Sequence, residues 1–206
     1  MRRKVKTHTV ASLTPRPYRL TPHQIYRGTE LHPSWQNRLS ESCARYRPWL
    51  LDRESLTRRI QARCTAFSVR HVRQQYGMAM PSERHMVALK HHSRALLRDV
   101  FLYCGETPLI FAHSVLPATS LHGTWQSLGR LGSKPLGAAL FANPRVRRTP
   151  LHFKKLNRRD ALYRRACTVL PNPPASLWAR RSVFYLEGRP ILVTEVFLPD
   201  VLELRQ

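Results

Sequence analysis

The sequence predicts a single α+β domain, an antiparallel β-sheet built from hairpins and covered by helices. Two stretches each read as β-rich arms around a glycine-containing turn. Between them lie segments with helical start and stop signals rather than further strands. Length adds a third observation: 206 residues suit one domain with a tail better than two domains, and a 42% hydrophobic content is enough for a core.

Residues 1–40 read as a basic N-terminal extension, broken by Pro15, Pro17, Pro22 and Pro33 and without an acid before Glu30. An Arg-rich, acid-poor start has the composition of a transit peptide. A disordered basic arm and a segment packed across the domain fit equally, and the pattern does not choose among the three. The domain is assigned to residues 41–206 and takes shape near Pro48-Trp49-Leu50-Leu51. Asp52 is read as the cap of a helix running through Arg63, with Leu56 and Ile60 spaced to face a core. Phe67, Val69 and His71 alternate with polar neighbours, which predicts a strand to about Tyr76-Gly77, and Pro81-Ser82-Glu83 opens a polar connection.

The first hairpin runs from Leu96 to Tyr103, turns at Cys104-Gly105-Glu106-Thr107 and returns through Pro108 to Ala112. Thr119 to Gly132 is read as a helix closed by glycine. Pro135 suits the first position of a short helix through Phe141, because its missing N–H costs nothing there. Arg145 to Arg165 holds nine Lys/Arg against Asp160 alone, with Leu151, Leu156 and Leu162 interleaved. After a Pro171-Asn172-Pro173-Pro174 loop, the second hairpin runs Ser182 to Leu186, turns at Glu187-Gly188-Arg189, and returns from Pro190 to Pro199.

The formal charge is 35 − 12 = +23, and only six of the basic residues are lysine. Such a chain attracts polyanions whatever its role, so weak association with nucleic acid or anionic membrane through the basic segments is the partner class the charge suggests. Coding bias toward arginine is the alternative. Cys43, Cys64, Cys104 and Cys167 form no C-x-x-C pair, which gives no zinc knuckle and no disulfide framework; reduced, partly buried thiols are expected. No apolar run approaches the ~20 residues of a spanning helix, and no apolar core follows Met1-Arg2-Arg3-Lys4, so a cytoplasmic protein is expected.

Alternation singles out two charges. In the last strand Ile191, Val193, Glu195 and Phe197 share a face, with Leu192, Thr194, Val196 and Leu198 on the other. Glu195 therefore stands among large apolar groups, where a carboxylate is costly unless paired or protonated. Arg98 stands likewise among Leu96, Val100 and Leu102. Two readings are open: a structural ion pair of Arg98 with Glu195 or Asp99, or a pocket for a small anion with polar ends. A third element is Leu131-Gly132-Ser133-Lys134-Pro135-Leu136-Gly137, where a helix start would leave the N–H groups of Leu136 and Gly137 free for a carboxylate. His85, His91 and His92 cluster without the acidic partner of a zinc site and are read as solvated.

These residues resemble the bacterial chorismate pyruvate-lyases (4-hydroxybenzoate synthases) over roughly Pro48 to Leu202. The strongest stretch is Leu177-Trp178-Ala179-Arg180-Arg181-Ser182 with Gly188, Pro190 and Thr194-Glu195-Val196-Phe197-Leu198-Pro199. Gly132-Ser133-Lys134-Pro135-Leu136-Gly137 with Leu140-Phe141, Leu97-Arg98-Asp99-Val100-Phe101-Leu102 and Ser55-Leu56-Thr57 are further matches. The resemblance implies a lyase that converts chorismate to 4-hydroxybenzoate and pyruvate for ubiquinone biosynthesis, with no metal and no organic cofactor. It implies catalytic roles for Arg98 and Glu195, and substrate binding by Leu56, Arg98, Leu136 and Glu195. Arg98 would grip a carboxylate, Glu195 the ring hydroxyl, and the two leucines would act through backbone N–H groups. For the second carboxylate, Arg180 and Arg181 are the candidates, against the alternative that both only cover the sheet edge. A monomer without an obligatory protein partner is expected.

Two rival readings compete with this one. A non-catalytic ligand-binding domain of the same fold, as in some transcriptional regulators, would accompany a helix-turn-helix domain, for which the proline-broken first 40 residues offer no candidate. A basic RNA-associated protein would not explain an acid and an arginine on apolar strand faces.

Overall fold

A computed structural model describes residues 34–204. Its elements are α1 (Arg47–Leu51), α2 (Leu56–Gln61), β1 (Phe67–Gly77), α3 (Pro81–Met86), β2 (Ala95–Cys104), β3 (Thr107–Pro117), α4 (Ala118–Leu121), α5 (Leu136–Ala142), β4 (Arg147–Arg148), β5 (His152–Leu156), α6 (Ala161–Ala166), β6 (Leu177–Leu186) and β7 (Arg189–Phe197), with short 3₁₀ turns between some of them. The strands form one antiparallel sheet in the order β1-β2-β3-β7-β6-β4, with β5 also paired to β6. The α+β class and both expected hairpins are present. At the second hairpin Glu187 and Gly188 both have positive φ, 51° and 76°. That is the backbone a tight two-residue turn requires, and only glycine adopts it without cost.

Strand register decides what meets what. Val100, Ala112, Glu195 and Arg180 form one cross-strand row, and Arg98, Ser114, Val193 and Ser182 the next row on the same face. Asp99, His113, Thr194 and Arg181 form a row on the opposite face. Both faces are covered. Val100, Leu102, Ile110, Trp178 and Phe197 pack with Trp49, Leu50 and Ile60, and Phe101, Phe111, Ala179 and Val196 pack with Leu162, Tyr163 and Ala166 of α6. Each large aliphatic or Phe side chain among them contributes about 1.5–3 kcal/mol when fully buried.

Several expectations are corrected. The helix expected from Asp52 to Arg63 is interrupted: α1 ends at Leu51, and α2 starts at Leu56 with Ser55 Oγ accepting from the Arg58 N–H. Asp52 instead accepts from the Glu54 N–H and from Arg59, both at 2.8 Å. The helix expected from Thr119 to Gly132 stops at Leu121, because Gly123 (φ 131°) turns the chain and the Trp125 indole N–H is held by the Arg189 carbonyl at 2.9 Å. The polar connection at Pro81 contains α3, whose Glu83 carboxylate accepts from the Met80 N–H. In the cationic stretch lie two strands, β4 and β5, both paired to β6.

The thiols are not all reduced. Cys64 and Cys104 form a disulfide with Cα atoms 5.8 Å apart, while Cys43 and Cys167 are free. The pairing arises because the chain after α2 meets the tip of the β2–β3 hairpin, where the Gly105 N–H donates to the Ala66 carbonyl. A spacing of 40 residues carries no hint of that contact.

The expected extension falls mostly on residues 1–33, outside the described residues. Among the described residues of that segment, Trp35 is buried and Gln36 exchanges backbone hydrogen bonds with Phe153. Among the described residues, no helix is long and apolar enough to cross a membrane.

Candidate active site

The sheet face that carries Arg98 and Glu195 forms the floor of a pocket. Its walls include Val100, Leu102, Ala112, Ser114, Val193, Phe184 and Leu140. Leu56 and Thr57 of α2 and Leu136, Gly137 and Phe141 of α5 complete it. Leu56 and Leu136 are the first residues of their helices, so their N–H groups have no partner within the helix. The two helix starts approach closely: a Cβ on Gly137 would lie 3.1 Å from Thr57 Oγ1 and 3.6 Å from Ser55 Oγ. Pro135 sits one position earlier than expected, as the residue that caps α5. All four residues named for the site, Leu56, Arg98, Leu136 and Glu195, border this one pocket.

Arg98 is 2% exposed. One of its nitrogens, Nη2, donates to the carbonyls of Gly132 (3.0 Å) and Lys134 (2.9 Å), which anchors the loop leading into α5. Its Nε has no partner, and among the described residues no carboxylate pairs with it. Burial lowers the pKa of Arg98, yet a guanidinium stays charged. The ion pair of Arg98 with Glu195 or Asp99, one of the two readings left open by the sequence, is not formed. The result is a buried cation facing a pocket, an arrangement that favours an anionic ligand.

Glu195 pairs instead with Arg180, whose Nε donates to Oε2 at 2.5 Å. Arg180 is fully buried, and its Nη1 donates to the carbonyls of Trp49 (2.9 Å) and Asp52 (2.5 Å). It thereby ties the α1–α2 connection to the sheet beside the pocket. Arg181 points to the opposite face and stacks on Trp35 at 4.3 Å, so of the two arginines considered for a second carboxylate it is excluded by register. On that same far face His113 Nδ1 meets Asp99 at 2.5 Å and Nε2 meets Glu83 at 3.2 Å, while Arg165 pairs with Asp99 at 2.9 Å. Burial, the largest influence, pulls the His113 pKa down, but Glu83 and Asp99 outweigh it and raise it to about 9. Asp99 thus belongs to a separate ionic cluster behind the pocket floor.

Sequence reasoning missed Thr57 and Ser114, which border the pocket, and Arg148, which packs against its Phe141 and Phe184 wall. Ser114 is opposite Arg98 in the β2–β3 register. Arg148 on β4 donates from Nε to Ser182 Oγ at 2.8 Å and from Nη1 to the Arg53 carbonyl at 3.0 Å. Its guanidinium lies 5.1 Å from the Phe184 ring and 5.7 Å from the Phe141 ring. No signal marked it, because it sits in a stretch where basic residues are the rule.

The family model described as chorismate lyase matches residues 33–205. A probable chorismate pyruvate-lyase of Nitrosospira multiformis is 51% identical over 171 residues, covering 82% of this chain and 95% of that protein. Another, of Nitrosomonas europaea, is 51% identical over 153 residues, covering 74% and 86%. Among solved structures, the effector domain of PhnF from Mycobacterium smegmatis aligns with a TM-score of 0.51 at 13% identity, over 73% of this chain and 91% of that one. A GntR-family transcriptional regulator from Bacillus cereus aligns with a TM-score of 0.51 at 13% identity, over 68% and 97%. At that identity the structural likeness speaks to the fold alone.

Proposed function

The chain belongs to the chorismate lyase family, and from that membership we propose that it converts chorismate into 4-hydroxybenzoate and pyruvate, supplying the aromatic ring precursor of ubiquinone. The observation that carries the proposal is Arg98, a buried cation without a carboxylate partner among the described residues, bordering the same pocket as Glu195 and two helix starts.

Chorismate carries a ring carboxylate and, on neighbouring ring carbons, an enolpyruvyl ether and a hydroxyl. In the reaction the proton on the hydroxyl-bearing carbon leaves, the ether C–O bond breaks, and the enolpyruvyl methylene gains a proton to become pyruvate. Atoms balance without added water, oxidant or reductant. Aromatisation of the ring is the driving force, so the protein's task is to hold one reactive conformer and to exclude competing solvent.

Arg98 takes the ring carboxylate, joined by the N–H groups of Leu56 and Leu136. Glu195, oriented by Arg180, receives the hydroxyl. Both groups remain on the aromatic product, so the product fits the same contacts. The test is calorimetric titration with 4-hydroxybenzoate. One equivalent should bind to the wild type, and Arg98→Ala should lose that binding; undiminished binding by the variant would take Arg98 out of the site.

A further inference from the structure

Chorismate has two carboxylates, and Arg98 with the two helix starts accounts for one. The ether stands on the carbon beside the hydroxyl-bearing carbon. With the hydroxyl on Glu195 and the ring carboxylate on Arg98, the enolpyruvyl carboxylate must therefore fall on the Glu195 side of the pocket, away from Arg98. Resting on the proposed lyase reading, we infer that Arg148 receives the enolpyruvyl carboxylate, the group that the substrate carries and the aromatic product lacks.

Register places it there. Arg98, Ser114, Val193 and Ser182 form one row across β2, β3, β7 and β6, and Arg148 Nε bonds to the Ser182 hydroxyl at the far end. The two guanidinium groups thus close opposite ends of a single row. Arg148 stands on β4, one strand beyond that row, so at roughly 4.8 Å per strand the β2 and β4 backbones are about 19 Å apart, a gap that two long arginine side chains narrow to the size of a small dianion. The Arg148 guanidinium lies against the edge-to-face pair Phe141 and Phe184, whose rings border the pocket and stand between it and Arg148. Those rings and the bonds to Ser182 and the Arg53 carbonyl hold the guanidinium in one orientation.

Charge points the same way. Among the described residues no carboxylate forms an ion pair with Arg148, and its Nη2 donates no hydrogen bond. The charged groups around it are Glu195 and Asp52, which favour its cation, and Arg180 and Arg53, which oppose it. Arg180 also has an Nη2 without a partner, but its charge is already met by Glu195 and its Nη1 by backbone carbonyls, which makes it the less suitable receiver. Burial lowers the Arg148 pKa to about 10, so it remains a cation at neutral pH.

The experiment compares substrate and product on the same protein. KM for chorismate, and its inhibition by and direct binding of 4-hydroxybenzoate, are measured for the wild type, Arg148→Met and Arg148→Lys. The expected result is a KM raised at least tenfold in Arg148→Met with the 4-hydroxybenzoate Kd held within threefold, and an intermediate KM in Arg148→Lys. Should the Met variant fail to fold, the ratio of KM to product Kd in Arg148→Lys decides: a raised ratio supports the assignment and an unchanged one overturns it. A product Kd that weakens in step with KM also overturns it, since Arg148 would then only support the pocket wall. An active wild type whose variants keep their KM sinks this inference alone, whereas an inactive wild type sinks the lyase reading and this inference together.

Discussion

Arg180 Nε and Glu195 Oε2 lie 2.5 Å apart across the β6–β7 pairing, and the same guanidinium reaches the backbone of the α1–α2 connection. Glu195 is therefore the neutralised acid of the pocket and Arg98 the unneutralised base. This asymmetry separates the two in a mutational test. Arg98→Met removes a buried charge that has no carboxylate partner but also its bonds to the Gly132 and Lys134 carbonyls, so turnover should collapse while thermal stability changes little as the two effects offset. Glu195→Gln strands Arg180 as an uncompensated buried cation, so activity and stability should fall together. Losing a charged ligand contact costs about 2–5 kcal/mol of transition-state binding, or roughly 30-fold to several thousand-fold in kcat/KM. Turnover kinetics beside thermal melts decide; an Arg98→Met protein that melts early but keeps its rate would contradict the assignment.

Gly137→Ala should impair catalysis although residue 137 contributes no functional group. Its new Cβ would stand 3.1 Å from Thr57 Oγ1, so α2 and α5 must part by a few tenths of an ångström, carrying Leu56 and Leu136 with them. Overpacking of this kind costs about 1–3 kcal/mol. Adding Thr57→Ala removes the obstructing hydroxyl and should restore much of the rate. A double variant no better than the single one would show that the close approach is not the cause.

Much of this was legible in the sequence, for reasons that also mark where legibility ends. Period-two alternation around Gly105 and Gly188 disclosed the central hairpins, and the same alternation exposed Glu195 and Arg98 as charges on apolar faces. Alternation works only while one residue type dominates a face. Arg180-Arg181 breaks it, although each arginine is buried on its own side of β6, and so the first five residues of β6 were missed. The basic residues around β4 and β5 hide their strands in the same way. Contacts between distant segments left no local trace: Arg180 with the Trp49 carbonyl, Cys64 with Cys104, and Arg148 with Ser182.

His113 predicts a pH dependence of stability. Its folded pKa of about 9 lies above the ordinary 6.5 because the opposing carboxylates Glu83 and Asp99 outweigh the effect of burial. A raised folded pKa stabilises fully below pH 6.5, and that stabilisation disappears as pH rises through 9. Urea unfolding between pH 6.5 and 9.5 should show a decline on the order of 3 kcal/mol from this group. His113→Gln should be less stable at pH 6.5 and flatter across the window. A variant as steep as the wild type would place the dependence elsewhere.

Residues 1–33 are predicted to be dispensable for turnover, whereas Trp35 and Gln36 are predicted to matter for stability. Residues 1–33 contain seven Lys/Arg and one acid, Glu30. Deleting them should leave kcat/KM within about twofold and weaken binding to heparin or RNA, with roughly one unit less salt slope per lost phosphate contact. Deleting residues 1–40 also removes Trp35, which Arg181 stacks upon at 4.3 Å, and losing a buried aromatic side chain costs about 3–5 kcal/mol. The longer deletion should therefore melt earlier. Equal melting of both truncations would remove Trp35 from the packed domain, and loss of turnover in the shorter one would make the extension part of the working enzyme.

The central claim is that this pocket splits chorismate. Folded, purified protein is incubated with chorismate and excess EDTA, and both products are quantified over time. Equimolar pyruvate and 4-hydroxybenzoate, formed in proportion to enzyme and abolished in Arg98→Ala, is the predicted result. Protein with a native melt that releases neither product, or one without the other, would contradict it.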